Sequence, residues 1–182
     1  MESEEWRGQS CPAPRIAEFS KVSRERFAAD FKEAFPEEAA RAGELYEMLR
    51  LPVRATSGSA GYDFFMPVTV ELAPGETVKI PTGIRAEMAA SYVLLLFPRS
   101  GLGFKYRLQL NNTVGVIDSD YFFSDNEGHI LAKVTNDSKE GKSVTLTAGT
   151  GFMQGIFLPY GITADDAVSE KRNGGFGSTT KE

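Results

Sequence analysis

The chain has 182 residues, with 41% hydrophobic and 25% charged, and 20 Lys and Arg against 25 Asp and Glu give a formal net charge of −5. That length suits one domain with an appendage, the composition excludes a disordered chain, and the acidic balance argues against non-specific adhesion to nucleic acid or anionic lipid. One cysteine, Cys11, and one histidine, His129, exclude a disulfide framework and a Cys/His zinc cage, and fit a reducing, cytoplasmic setting. The longest apolar run, 93–97, is far too short to cross a bilayer, and Glu2, Glu4 and Glu5 stand where a secretory signal would be basic. Neither a membrane partner nor a targeting segment is expected.

Residues 1–51 read as helical. Phe27, Phe31 and Phe35 recur at helical spacing with charges of both signs between them, which predicts an amphipathic helix over 23–35. Pro36 breaks it, and good helix formers return over 37–49 with Ala40, Leu45, Met48 and Leu49 as the apolar stripe. Such a pair is expected to cover the edge of the main domain or of a neighbouring subunit. After Pro52 short β-rich runs alternate with Gly, Pro, Asn and Asp. Residues 68–72 alternate apolar and polar, Pro74 and Gly75 supply a turn, and Val78 and Ile80 resume the alternation, which predicts a hairpin. Further strands are predicted over 92–97, 130–135, 144–147 and 152–158. Residues 52–168 thus read as an all-β domain, a sandwich, jelly roll or barrel, among which periodicity does not choose. The Gly-rich, polar segment 169–182 builds no core and reads either as a frayed end or as an arm that orders over a ligand.

Three stretches carry chemistry. The tail offers Arg172, the backbone of Gly174, Gly175 and Gly177, the hydroxyls of Ser178 and Thr179, and the Phe176 ring, which are parts for a planar, phosphorylated ligand. Residues 98–103 place Arg99, Ser100 and Gly101 directly after an apolar strand, where a turn would make an anion nest. Residues 115–121 carry Asp118 and Asp120, which share a face if the chain stays extended and could then bind a metal or activate a water. His129, at the mouth of a strand, reads as a structural or surface residue, and Cys11 as an incidental thiol.

Together these stretches resemble the trimeric dUTPases, whose five ordered motifs all have counterparts here. The first is Ser59-Ala60-Gly61-Tyr62-Asp63-Phe64, and the second runs from Pro98-Arg99-Ser100-Gly101 to Lys105. The third runs from Asn112 through Gly115-Val116-Ile117-Asp118-Ser119-Asp120-Tyr121, the fourth is Gly151-Phe152-Met153-Gln154-Gly155, and the fifth runs from Arg172 to Thr179. The resemblance implies a jelly-roll-like subunit (the β-clip dUTPase fold), a homotrimer with shared active sites, and a flexible C-terminal arm that closes them. It implies hydrolysis of dUTP to dUMP and pyrophosphate, with Mg2+ on the triphosphate. By position, Asp118 corresponds to the carboxylate that activates the water, assisted by Gln154, and Asp63 to the acidic residue that reaches the metal through water. Arg99, Ser100 and Gly101 would hold phosphates. Asn112 with the backbone at Gly115 and Ile117 would read the uracil edge, and Tyr121 would pack on the deoxyribose. Phe176 would stack on the base, while Arg172, Gly177, Ser178 and Thr179 would grip the terminal phosphate.

Hydrolysis of a phosphoanhydride requires an in-line water and charge neutralisation, and no Ser or Cys nucleophile, so these residue types suit the reaction. The chain departs from the pattern in four places. Gly151 stands where an Arg is usual, 122–128 is a longer turn, the fifth motif is one residue short after Arg172, and Thr180 replaces a Gly. Two other readings stay open. A dCTP deaminase-like enzyme would need a glutamate where Lys133 stands, and a non-catalytic dUTP-sensing module would bind without releasing pyrophosphate.

Overall fold

Before the first helix the chain forms a strand that the hydrophobic pattern does not announce. In the computed structural model, which describes residues 13–170, β1 (Ala17–Lys21) pairs antiparallel with Ile84–Met88. Its single aromatic residue, Phe19, packs against the rings of Tyr62, Phe64 and Phe157 at centroid distances of 5.3–5.6 Å. One apolar side chain among Glu18, Ser20 and Lys21 gives too weak an alternation to read as a strand.

Helix α1 (Arg24–Ala34) matches the first expected helix, and Ser23 caps it by accepting the Arg26 N–H on its hydroxyl (3.1 Å). The second expected helix is divided. A 3-10 helix, Pro36–Arg41, begins at the proline, and α2 (Ala42–Met48) follows. The tighter pitch rotates the apolar stripe, so Ala42, Leu45 and Leu49 are buried while Ala40 and Met48 face solvent. These side chains join Val22, Phe27, Phe31 and Val68 in one cluster, which docks the helices on the β domain. Gly83 makes that approach possible: its φ is +73°, and a Cβ there would lie 2.3 Å from Leu49 Cδ1.

The β domain continues with β2 (Val53–Arg54), β3 (Tyr62–Phe65), β4 (Val70–Leu72), β5 (Thr77–Pro81), β6 (Ile84–Met88) and β7 (Tyr92–Pro98). Helix α3 (Ser100–Tyr106) leads to β8 (Leu108–Leu110) and β9 (Gly115–Ile117). A 3-10 helix, Ser119–Phe123, then precedes β10 (Leu131–Asn136), β11 (Val144–Leu146) and β12 (Gly151–Pro159). The strands, all paired antiparallel, form a five-stranded sheet β2-β3-β12-β7-β9, a three-stranded sheet β5-β10-β8, and the pairs β11-β4 and β1-β6. They enclose one core that includes Phe64, Ile80, Leu94, Ile130, Phe152 and Met153.

The hairpin expected over 68–80 does not form. The turn is present, with Gly75 at φ +87° and the Glu76 N–H donating to Ala73, but β4 pairs with β11 and β5 with β10. The end of β10 bonds both arms of the turn: Gly75 donates to the Asn136 carbonyl and Asn136 donates to Glu76. Alternation specifies which face of a strand is buried and leaves its partner open.

Candidate active site

The five-stranded sheet has two apolar faces. Leu94, Leu96 and Ile117 point into the core, so the residues between them point outward. The register sets Leu95 opposite both Ile156 and Val116, and Val93 opposite Leu158. Val93, Leu95, Val116, Ile156 and Leu158 therefore form an outward apolar patch, on which Val116 is 52% and Leu158 42% exposed.

One end of this patch is polar. Gln154 lies between Phe97 on β7 and Asp63 on β3, on the outer face. Two residues beyond Phe97, Arg99 Nε reaches Asp63 Oδ1 at 3.2 Å, and the Arg99 N–H donates to the Phe152 carbonyl. Two glycines make room for this group. A Cβ on Gly61 would lie 2.7 Å from Gln154 Oε1, and one on Gly151 would lie 3.0 Å from Arg99 Nη1 and 3.4 Å from Asp63 Cβ. A side chain at Gly151 would press on Arg99 and Asp63, which would have to give by a few tenths of an ångström. Residues 100–103 form no simple turn; they open α3, whose first turn closes on the Arg99 carbonyl. Ser100 and Gly101 are exposed there, and among the described residues a Cβ on Gly101 would meet nothing within 4 Å.

The other end carries the third motif. Asp118 is extended (φ −74°, ψ 156°) and, two residues after Val116, continues the outer face. The chain then coils into the 3-10 helix, so Asp120 lies in a helical turn and the shared face expected for Asp118 and Asp120 does not form. Tyr121 is only 3% exposed; its hydroxyl donates to the His129 carbonyl (2.9 Å) and accepts from Asn126 Nδ2 (2.7 Å). Asn112 is exposed in the turn before β9, where Thr113 adopts φ 66°. A Cβ on Gly115 would lie 3.0 Å from Leu96 Cβ, while Ile117 buries its side chain and offers only backbone outward.

Within one chain the predicted site is therefore divided. Asp63, Arg99, Ser100, Gly101 and Gln154 gather at one end of the outer face, and Asp118 with the residues of its motif lies at the other. Gln154 is opposite Phe97 while Asp118 follows the Ile117–Leu94 pair, so about four residues of β7, roughly 13 Å of strand, separate the two ends. Arg172, Phe176, Gly177, Ser178 and Thr179 lie outside the described residues. A groove of about 890 Å³ opens between β1 and the β2–β3 connection, lined by Phe19, Arg54, Ser59 and Tyr62 and by Ile156 of the patch, and it includes neither Asp118 nor Arg99.

His129 is fully buried, with Nδ1 2.5 Å from Asp30 Oδ2 and Nε2 accepting the Gly83 N–H (2.8 Å). An Nε2 that accepts is unprotonated, so the ring is neutral and donates from Nδ1 to Asp30. Burial alone would raise the Asp30 pKa; the His129 hydrogen bond, with the charges nearby, holds it below its ordinary value of 3.8. No sequence motif announced Ser23, Asp30 or Glu127, because their partners lie about 100 residues away. No group of three or more His, Cys, Asp or Glu side chains suited to a metal is found among the described residues.

Residues 47–180 match the family model described as dUTPase. Over 134 residues the chain is 44% identical to the deoxyuridine 5'-triphosphate nucleotidohydrolase of Lactococcus lactis subsp. lactis (strain IL1403), covering 72% of this chain and 88% of that protein. It is 38% identical over 140 residues to the protein of the same name from Escherichia coli O9:H4 (strain HS), with the same coverage. Among solved structures, dUTPase from Streptococcus mutans is similar with a TM-score of 0.59 at 34% identity, over 80% of this chain and 97% of that one. A mutant dUTPase from phage phi11 of S. aureus, described for its coordination of a structural Mg(II) ion, shares the fold at 21% identity, with a TM-score of 0.60 over 86% and 98% of the two chains.

Proposed function

The chain belongs to the dUTPase family and is a dUTP nucleotidohydrolase, and on that premise we propose that it cleaves dUTP to dUMP and pyrophosphate with an Asp118-activated water, in sites shared between copies of a homotrimer. The observation that carries this reading is the division of the site across one apolar face. A patch that hydrophobic on a water-exposed sheet marks an association surface. If copies join through it around a three-fold axis, the Asp118 end of one meets the Arg99 and Gln154 end of the next.

In such a site Arg99, with Ser100 and Gly101, binds phosphate oxygens. Asp118 takes the proton of the water as the α–β anhydride opens, and pyrophosphate leaves; Gln154 orients the water. Asn112 and the backbone at Gly115 and Ile117 read the uracil edge, Tyr121 supports the deoxyribose, and the arm with Arg172, Phe176, Gly177, Ser178 and Thr179 closes over the nucleotide and excludes water. The residues fit a magnesium ion carried by the substrate. Such an ion needs few protein ligands, and Asp63, paired with Arg99 at the phosphate end of the face, would supply one carboxylate to it through water. When bound, Mg2+ would neutralise charge on the phosphate oxygens. A cytoplasmic setting without nucleic-acid or membrane partners suits this chemistry.

The test offers each deoxynucleoside triphosphate with magnesium and measures pyrophosphate. Strong preference for dUTP is expected, and Asp118→Asn is expected to lower turnover by about 10²–10⁴-fold; equal hydrolysis of dUTP and dTTP would overturn the specificity. Sharing of sites is tested by mixing inactive Asp118→Asn and Arg99→Ala chains after dissociation. Random reassembly pairs an intact Asp118 with an intact Arg99 in about a quarter of the sites, so about that share of activity returns. No recovery on reassembly would place each site within one chain.

A further inference from the structure

The helices of residues 24–48 lie almost wholly ahead of the region that matches the family, which begins at residue 47, and the 122–128 turn departs from the family's pattern. The structure joins these two features. Glu127, in the left-handed region at φ 60°, accepts both the backbone N–H (2.7 Å) and the hydroxyl (2.6 Å) of Ser23, the residue that caps α1. Two turns along the same helix, Asp30 accepts from His129, whose other nitrogen is held by Gly83. Gly128 lets the turn close on itself, since a Cβ there would lie 2.7 Å from Phe122 Cα.

From this double clamp the contacts run toward the catalytic segment. The carbonyl of His129 accepts the Tyr121 hydroxyl, and Asn126 donates to that same hydroxyl. The Ser124 hydroxyl donates to the Tyr121 carbonyl at 2.6 Å, and Tyr121 in turn donates its N–H to the Asp118 carbonyl at 3.1 Å. On the opposite side Arg85 donates to the Phe122 carbonyl and lies 3.5 Å over the Phe122 ring. A helix pair that merely covered the domain edge would need apolar contact alone. Here one carboxylate on each side of the interface makes charge-assisted bonds across it, Asp30 of α1 with His129 and Glu127 of the turn with Ser23, next to the segment that carries Asp118 and Tyr121.

We infer that the N-terminal helices are a positioning element of the active site, with Ser23, Asp30 and Glu127 acting through the 119–129 segment on Asp118 and Tyr121. The inference rests on the roles proposed above for those two residues. Its test is Glu127→Ala in the full chain, assayed well below its Tm against dUTP and UTP. The expected result is a loss of about threefold to tenfold in kcat and in the dUTP-over-UTP preference, with KM for dUTP little changed, within the range by which remote contacts modulate a site. Glu127→Gln keeps an acceptor for Ser23 and should recover most of that loss. Should Glu127→Ala fail to fold, Ser23→Ala removes one of the two bonds and is expected to shift kcat and preference in the same direction. Unchanged kcat and preference beside a lowered Tm would overturn the inference and leave the helices as a stabilising cover. Full activity of Asp118→Asn would instead overturn the reading of the site itself, and the inference with it.

Discussion

Two apolar surfaces of the β domain meet different fates. The surface around Val68 and Gly83 is covered by the chain's own helices, and Phe27 and Phe31 are wholly buried there. The outer face of the five-stranded sheet, with Leu95, Val116 and Ile156, is left by the chain to solvent or to another copy. Polar groups follow the same division. On the covered surface Asp30, His129, Ser23 and Glu127 are bonded to one another across the interface. On the open face Arg99, Asp63 and Gln154 stand at one end and Asp118 at the other. Arg99 and Asp63 pair within the chain on the open face too, so what distinguishes that face is its uncovered apolar area and the separation of its two polar ends.

That contrast breaks most sharply at the centre of the open face. Leu95→Asp points away from the core, so it should leave the single chain folded while a buried charge prevents assembly. Sedimentation is expected to show lone chains, and dUTP hydrolysis to fall about 100-fold or more as the two half-sites separate. Retained activity in a lone chain would remove the basis for shared sites. On the covered surface Phe27→Ala should do the opposite. It leaves a cavity beneath α1, expected to cost about 3–5 kcal/mol in urea unfolding, with the oligomer of the remaining folded protein unchanged. An effect below about 1 kcal/mol would mean that the helices are only loosely docked.

The smallest effect is in acid. Asp30 and Glu127 have folded pKa values below their ordinary 3.8 and 4.5: burial opposes this, and the bonds from His129 and Ser23, with neighbouring cations, outweigh it. A depressed carboxylate stabilises the fold fully above its ordinary value, and that contribution is lost as pH falls through the folded one. Stability should therefore decline below about pH 4.5, more shallowly in Asp30→Asn and Glu127→Gln. Identical acid limbs in thermal melts would remove these carboxylates from the docking account.

Much of the architecture was legible in the residues: α1 in its phenylalanine spacing, the main strands in their apolar runs, and the family in five ordered motifs. The misreadings share a physical origin. The 68–80 alternation predicted faces correctly but partners wrongly, because β4 and β5 each find a strand more than 50 residues away. The stripe on α2 slipped because a 3-10 turn at Pro36 changed the pitch ahead of it. Strand β1 escaped notice since its burial rests on Phe19 alone among its neighbours.

By itself the sequence determined which chemistry the chain carries, since side-chain type and order along the chain are local properties that a motif records directly. Only the tertiary structure decided that Asp118 and Arg99 stand at opposite ends of one apolar face, and that α1 grips the turn behind Asp118. Both depend on strand register and on contacts about 100 residues apart in the chain. Such contacts form only once the core has fixed which surfaces remain to be covered.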